Sequence, residues 1–164
     1  MDEQYIRNSL LDWMINFVEQ PNSKLGNWPP CPYARKARLD NKFKILFDYS
    51  NNFADSIAYS KIVLETNDVV AICFDHKKID ADYLRDFIKN LNTLLMQEDY
   101  VILEDHPDTL EYVNGVNMNF GLCGLLLIQK LSKLNEASSQ LKAKGYYDHW
   151  NQQVLDDVVN WRNN

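Results

Sequence analysis

The chain has 164 residues, 46% of them hydrophobic and 24% charged, with a formal net charge of −6. That length suits one domain and can bury a core without staples, so a single domain over residues 1–164 is expected. The acidic balance speaks against nonspecific nucleic-acid binding, and no apolar run approaches the roughly 20 residues of a membrane span.

The start, Met1-Asp2-Glu3-Gln4, lacks the basic-then-apolar pattern of a signal peptide. Cys31, Cys73 and Cys123 are spaced 42 and 50 apart. That spacing is neither a disulfide framework nor a zinc pattern. Free thiols in a reducing compartment are the expectation, and with it a cytoplasmic location.

Ile6, Leu10, Trp13 and Phe17 recur at helical spacing, and Pro21 and Gly26 end that first helix. An irregular loop follows, in which Trp28 is expected to pack down as an anchor. Pro32 suits a first helical position, and residues 33–39 can form a short helix. Residues 42–49 alternate, with Phe43, Ile45, Phe47 and Tyr49 on one face, which predicts a half-buried strand. Residues 53–66 read as a helix carrying Ile57, Ile62 and Leu64. Residues 69–74 form a continuous apolar run, as in a strand covered on both faces.

Asp80 or Asp82 can cap the next helix, whose stripe is Leu84, Phe87, Ile88, Leu91, Leu94 and Leu95. Residues 100–103 read as a short strand. Asn114-Gly115 is a turn signal. From about Phe120 the leucine-rich run favours a long buried helix stopped by Gly145, with a strand over 122–129 as the alternative. A final amphipathic helix carries Val154, Leu155, Val158, Val159 and Trp161. Strands joined through helices favour some parallel pairing. The expected fold is α+β, a small sheet of three or four strands with helices packed on it.

Cys31 opens the chemistry. A thiol just before a helix start, with Arg35, Lys36 and Arg38 nearby, has reasons to titrate low. The competing reading is a small residue filling a turn. His106 follows a strand end, where open α/β sheets place ligand-binding groups. Acids on both sides could orient its ring. Cys31 as nucleophile, His106 as base and Asp108 as orienter would make a complete set. The alternative is a solvated histidine in an acidic turn.

His106-x-Asp108 with a distant His149 also matches the ligand types of an iron facial triad. That arrangement would need many more strands, and no metal or cofactor is assigned. Cys73 and Cys123 sit in apolar runs and read as core. The Asn/Gly segment 114–121 could hold an anion, although a structural turn is favoured. Tyr146, Tyr147 and Trp150 form an aromatic cluster that hints at a homo-oligomer contact.

Charge is uneven along the chain. Six basic residues and one acid lie between Lys24 and Lys44, and six acids with no Lys or Arg lie between Glu98 and Tyr112. They are two solvated surfaces, or they face each other around a site, or the basic stretch takes an anionic ligand.

Cys31-Pro32-Tyr33-Ala34-Arg35-Lys36-Ala37 resembles the glutaredoxin active-site turn, Cys-Pro-Tyr-Cys followed by basic residues. Ala34 stands at the second thiol, so the resemblance implies one-thiol chemistry at most. Asn27-Trp28-Pro29-Pro30 replaces the strand that precedes the motif in that family. Over residues 5–110 the chain is also similar to an uncharacterised bacterial family with an N-terminal helix, a Cys-Pro-Phe-Ala motif and a later His-Pro-Asp motif. Cys31-Pro32-Tyr33-Ala34 and His106-Pro107-Asp108 fall in that order. This resemblance implies a paired Cys and His-Pro-Asp site with no assigned activity.

Two functions follow as expectations. One is a small thiol-dependent protein using Cys31 and His106, with Arg35, Lys36 and Arg38 favouring the thiolate. The other is a non-catalytic binding or accessory module whose basic 24–44 and acidic 98–112 surfaces meet a small molecule or a protein partner.

Overall fold

The computed structural model describes residues 1–163, and strands build its centre: β1 (Phe43–Asp48), β2 (Val69–Phe74), β3 (Tyr100–Asp105), β4 (Tyr112–Val113), β5 (Val116–Asn117) and β6 (Gly124–Lys130). The main sheet has the order β1-β2-β6-β3, and β4 and β5 form a separate hairpin. β1 and β2 are parallel, while β6 runs antiparallel to both of its neighbours. The two inner strands, β2 and β6, are covered on both faces, which is why each is nearly continuous in apolar residues.

Gly124 lies opposite Phe74, and a Cβ there would fall inside the phenyl ring, so the pairing of β6 with β2 needs glycine at this point. Asn114 and Gly115 both adopt positive φ, 50° and 76°, and make the two-residue turn between β4 and β5.

Six α-helices accompany the sheet among the described residues: α1 (Glu3–Trp13), α2 (Ala34–Leu39), α3 (Ala54–Val63), α4 (Ala81–Leu95), α5 (Leu131–Ala143) and α6 (Gln152–Val158). Asp2, Asp80 and Asn151 cap α1, α4 and α6 by accepting from the N–H groups of Tyr5, Tyr83 and Val154. Asp99 serves α5 from another strand end, accepting from the Ser132 N–H and hydroxyl, both at 2.7 Å.

Alternation along the strands splits the core in two. Val70, Ile72 and Phe74 join Ile102, Leu126 and Ile128 beneath α3 and α4. Ala71 and Cys73 join Ile45, Cys123 and Leu125 beneath α1. The fold is α+β, with a mixed four-stranded sheet containing one parallel pair, as the alternation of strands and helices predicts.

Several local expectations change. The run after Phe120 is a strand, β6, and the helix begins only at Leu131. A helix there would leave the facing edges of β2 and β3 without partners, and β6 fills the gap between them. Ile62 and Leu94 are exposed, at 69% and 61%, and contribute nothing to the core. Tyr49 lies past the end of β1 and is exposed too. Trp28 packs edge-on against Tyr146 with ring centroids 5.6 Å apart, as an anchor should.

Candidate functional site

α1 does not stop at Trp13 but widens into a π-helical turn, Met14–Val18. Such turns recur at functional sites because the extra residue re-aims side chains. The Val18 carbonyl accepts from the Cys31 N–H at 3.1 Å, and the Cys31 carbonyl accepts from the Ala34 N–H at 3.2 Å. These bonds seat Cys31 at the lip of a cavity of about 400 Å³.

Leu10, Trp13, Met14 and Phe17 form one wall. Phe43, Leu125 and Leu127 of the sheet form the floor, and Leu134 and Ala137 of α5 close the far side. Polar groups are few and include Tyr33, Lys36, Asp68 and Lys133. The cavity is therefore apolar within and polar in a small set of side chains, the usual build of a small-molecule site.

The surroundings of Cys31 act against the expected low titration. Burial pushes the thiol up from its ordinary value, the N–H groups of Tyr33 and Ala34 oppose this, and the Glu19 carboxylate adds to the rise. Cys31 is exposed at the lip, and the protein mass on its other sides desolvates it. None of the three cations expected to stabilise a thiolate is among the groups that act on the Cys31 thiol. Arg38 holds the buried Glu19 through two hydrogen bonds of 2.7 and 2.8 Å. Lys36 pairs with Asp40 one turn along α2. Arg35 is exposed and joins no ion pair among the described residues.

His106 is 3% exposed and serves the backbone. Its Nε2–H donates to the carbonyls of Ile79 and His76 at 3.0 and 3.2 Å, and Nδ1 accepts from the Asp108 N–H at 3.1 Å. These partners assign the neutral tautomer with the proton on Nε2. The Asp108 carboxylate is 72% exposed and stands 3.9 Å from Nδ1, so it does not orient the ring.

His106 lines a different cavity, of about 750 Å³, which shares no lining residue with the one at Cys31. The nucleophile, base and orienter expected as one set are not brought together. β3 delivers His106 to the edge of the α4 layer, whereas Cys31 lies at the end of the loop that follows α1 and the π turn.

Five acids line the second cavity: Glu104, Asp105, Glu111, Asp156 and Asp157. Burial raises Glu104, Asp105 and Glu111 from the usual carboxylate range. Asp105 accepts from Asn119 Nδ2 at 2.6 Å and from the Phe120 N–H at 2.8 Å. Asn119 also donates to the Thr109 carbonyl and accepts from the Glu111 N–H, so this part of the Asn/Gly segment braces a loop. Among the described residues no group of three or more His, Cys, Asp or Glu is placed to hold a metal ion. His149 packs against Gly26 (φ +65°), and among the described residues it forms no metal-type grouping with His106 and Asp108.

No ion pair joins residues 24–44 to residues 98–112 among the described residues; Glu98 pairs with Lys61. Tyr146 of the C-terminal aromatic cluster turns inward. Tyr146 is 3% exposed, donates to the Pro30 carbonyl at 2.6 Å, and packs on Trp28 and Trp150. These contacts spend Tyr146 within the chain.

Asp68, Leu127, Lys133, Leu134 and Ala137 line the first cavity and were not singled out from the sequence. The signal for them is faint. Only the placement of β6 beside β2, with α5 leading off its end, brings them to Cys31. No helix of the described residues is long and apolar enough to cross a membrane. No family model matches the chain, and neither a curated protein nor a solved structure does.

Proposed function

We propose that the protein is a non-catalytic binding module that takes a small apolar ligand in the cavity beside Cys31. The observation that carries this reading is the cavity itself, about 400 Å³ and walled by leucine, methionine and aromatic side chains from four elements. That volume lies at the small end of the range for ligand sites. The thiol-dependent reading has less support, because Cys31 is pushed up in pKa and His106 lines the other cavity. In the binding reading Cys31 is a wall residue, and its thiol is a built-in reporter of occupancy.

The test is a titration with 1-decanol, followed by tryptophan emission and by alkylation of Cys31. Trp13 lines the cavity, so saturable quenching or enhancement is expected, together with protection of Cys31. Ala137→Leu, which places three further carbons in the cavity, should weaken both effects at least tenfold. Unchanged emission and unchanged alkylation with decanol present would remove the reading.

A further inference from the structure

The charged residues that line the cavity are Lys36, Asp68 and Lys133, two cations and one anion in a chain of net charge −6. They are neighbours. Asp68 pairs with Lys133 at a loose 3.5 Å, and its field also reaches Lys36, whose amine is held up first by Asp40 and in smaller part by Asp68. The two lysine side chains are 76% and 61% exposed. Long lysine stems cover apolar surface while their amines stay in water, so both amines belong at the mouth of the cavity. The pairs they make are solvent-exposed and weak, which leaves the amines free to accept a better anion.

Inside the mouth the walls offer little to a polar group. The interior therefore selects a tail and the mouth selects a head. A space of about 400 Å³ holds on the order of a dozen packed heavy atoms, taking ~30 Å³ for each small group as for liquid water.

Resting on the binding reading above, we infer that the occupant is a free single-chain amphiphile with an anionic head, its tail against Leu125 and Leu134 and its head between Lys36 and Lys133. A medium-chain carboxylate of about ten carbons matches both the volume and the charge. Asp68 marks the spot, since its carboxylate already sits beside Lys133 in the way the ligand head would.

The experiment compares decanoate, 1-decanol and decyltrimethylammonium, each titrated below its aggregation threshold against the full chain. Decanoate should bind tightest and the ammonium weakest. Affinity should rise about fourfold per methylene from hexanoate to decanoate and then level off as the cavity fills. Lys36→Gln and Lys133→Gln should each lower the ratio of decanoate to decanol affinity about threefold, and salt should lower it further.

Equal or tighter binding of decanol, or a ratio untouched by both substitutions, overturns the anionic head while the apolar-cavity reading stands. Binding to anionic phospholipid vesicles without binding of monomeric decanoate overturns it in favour of a membrane surface. Failure of all three decyl compounds removes the cavity reading and this inference with it.

Discussion

Replacing His106 with alanine tests whether this residue is structural or chemical. Its ring is 3% exposed and ties the Asp108 N–H to two carbonyls 27 and 30 residues earlier than itself. Removal strands the buried Ile79 carbonyl, at about 1–3 kcal/mol for an unsatisfied buried group, and frees the N–H of the exposed Asp108. It also leaves a void beside the Phe74 and His76 rings, whose centroids lie 6.4 and 5.7 Å away. The sum is about 3–5 kcal/mol, the range of an aromatic truncation in a core. Against a domain margin of roughly 5–15 kcal/mol that is a severe loss. Urea unfolding followed by tryptophan emission measures it, with an unchanged m-value showing that stability alone moved. Asp108→Ala is the control. Its carboxylate is 72% exposed and the backbone N–H remains, so the change should stay within about 0.5 kcal/mol. A loss below about 1 kcal/mol for His106→Ala, or an equal loss for Asp108→Ala, refutes the assignment.

Ellman's reagent should titrate one thiol in the native protein and three in denaturant, because Cys73 and Cys123 are buried and Cys31 is exposed. The pH midpoint for Cys31 alkylation should lie above the ordinary cysteine value of about 8.5; a midpoint below it would restore the thiolate reading. Arg38→Ala leaves the Glu19 carboxylate buried without its partner and should cost about 3–5 kcal/mol, much of it recovered by adding Glu19→Gln; additive losses in the double mutant would show that the pair does not act as one. Burial alone would raise Asp48, but hydrogen bonds from Ser56 and Ser50 and the N–H groups of Ser50 and Asn51 outweigh it and hold it below the usual range. Its contribution is therefore present above the unfolded value near pH 3.9 and lost as pH falls through the folded one. Asp48→Asn should destabilise at pH 7 and converge with the parent in acid, and a constant gap between their unfolding midpoints would contradict that sign.

The elements with one unambiguous period were legible from the sequence. The α1 stripe of Ile6 and Leu10, the alternation of Phe43 and Ile45, and the run Val69–Phe74 each match a single template. Gly124–Lys130 does not, because a short apolar run fits a buried strand and a buried helix equally. Its identity depends on β2 and β3, which are distant in sequence. The same limit hid the site. Cys31 and Lys36 stood out locally, and both line the cavity. Asp68 and Lys133 sit in ordinary polar contexts and become relevant only when β6 and α5 carry one to the other. His106 stood out for its acidic neighbours, whereas its real partners are carbonyls 27 and 30 residues earlier.

The cavity beside Cys31 is held open rather than left over. A closed void of about 400 Å³ would forfeit about 10 kcal/mol at ~24 cal/mol per Å³, comparable to the whole margin of a domain. Such a space persists only if solvent or a ligand fills it. Collapse would require the loop bearing Cys31 and the π turn to sink onto Leu125 and Leu127. Polar ties oppose that movement at three points. The Cys31 N–H is fixed to the Val18 carbonyl, Tyr146 is fixed to the Pro30 carbonyl at 2.6 Å, and Arg38 grips Glu19 just past the π turn. Breaking the Arg38–Glu19 tie costs more than one wall contact returns, since a buried ion pair that loses a partner is penalised far beyond the gain of a single apolar contact. The polar bracing thus lies around the apolar lining, at the points where the walls would have to move for the space to close.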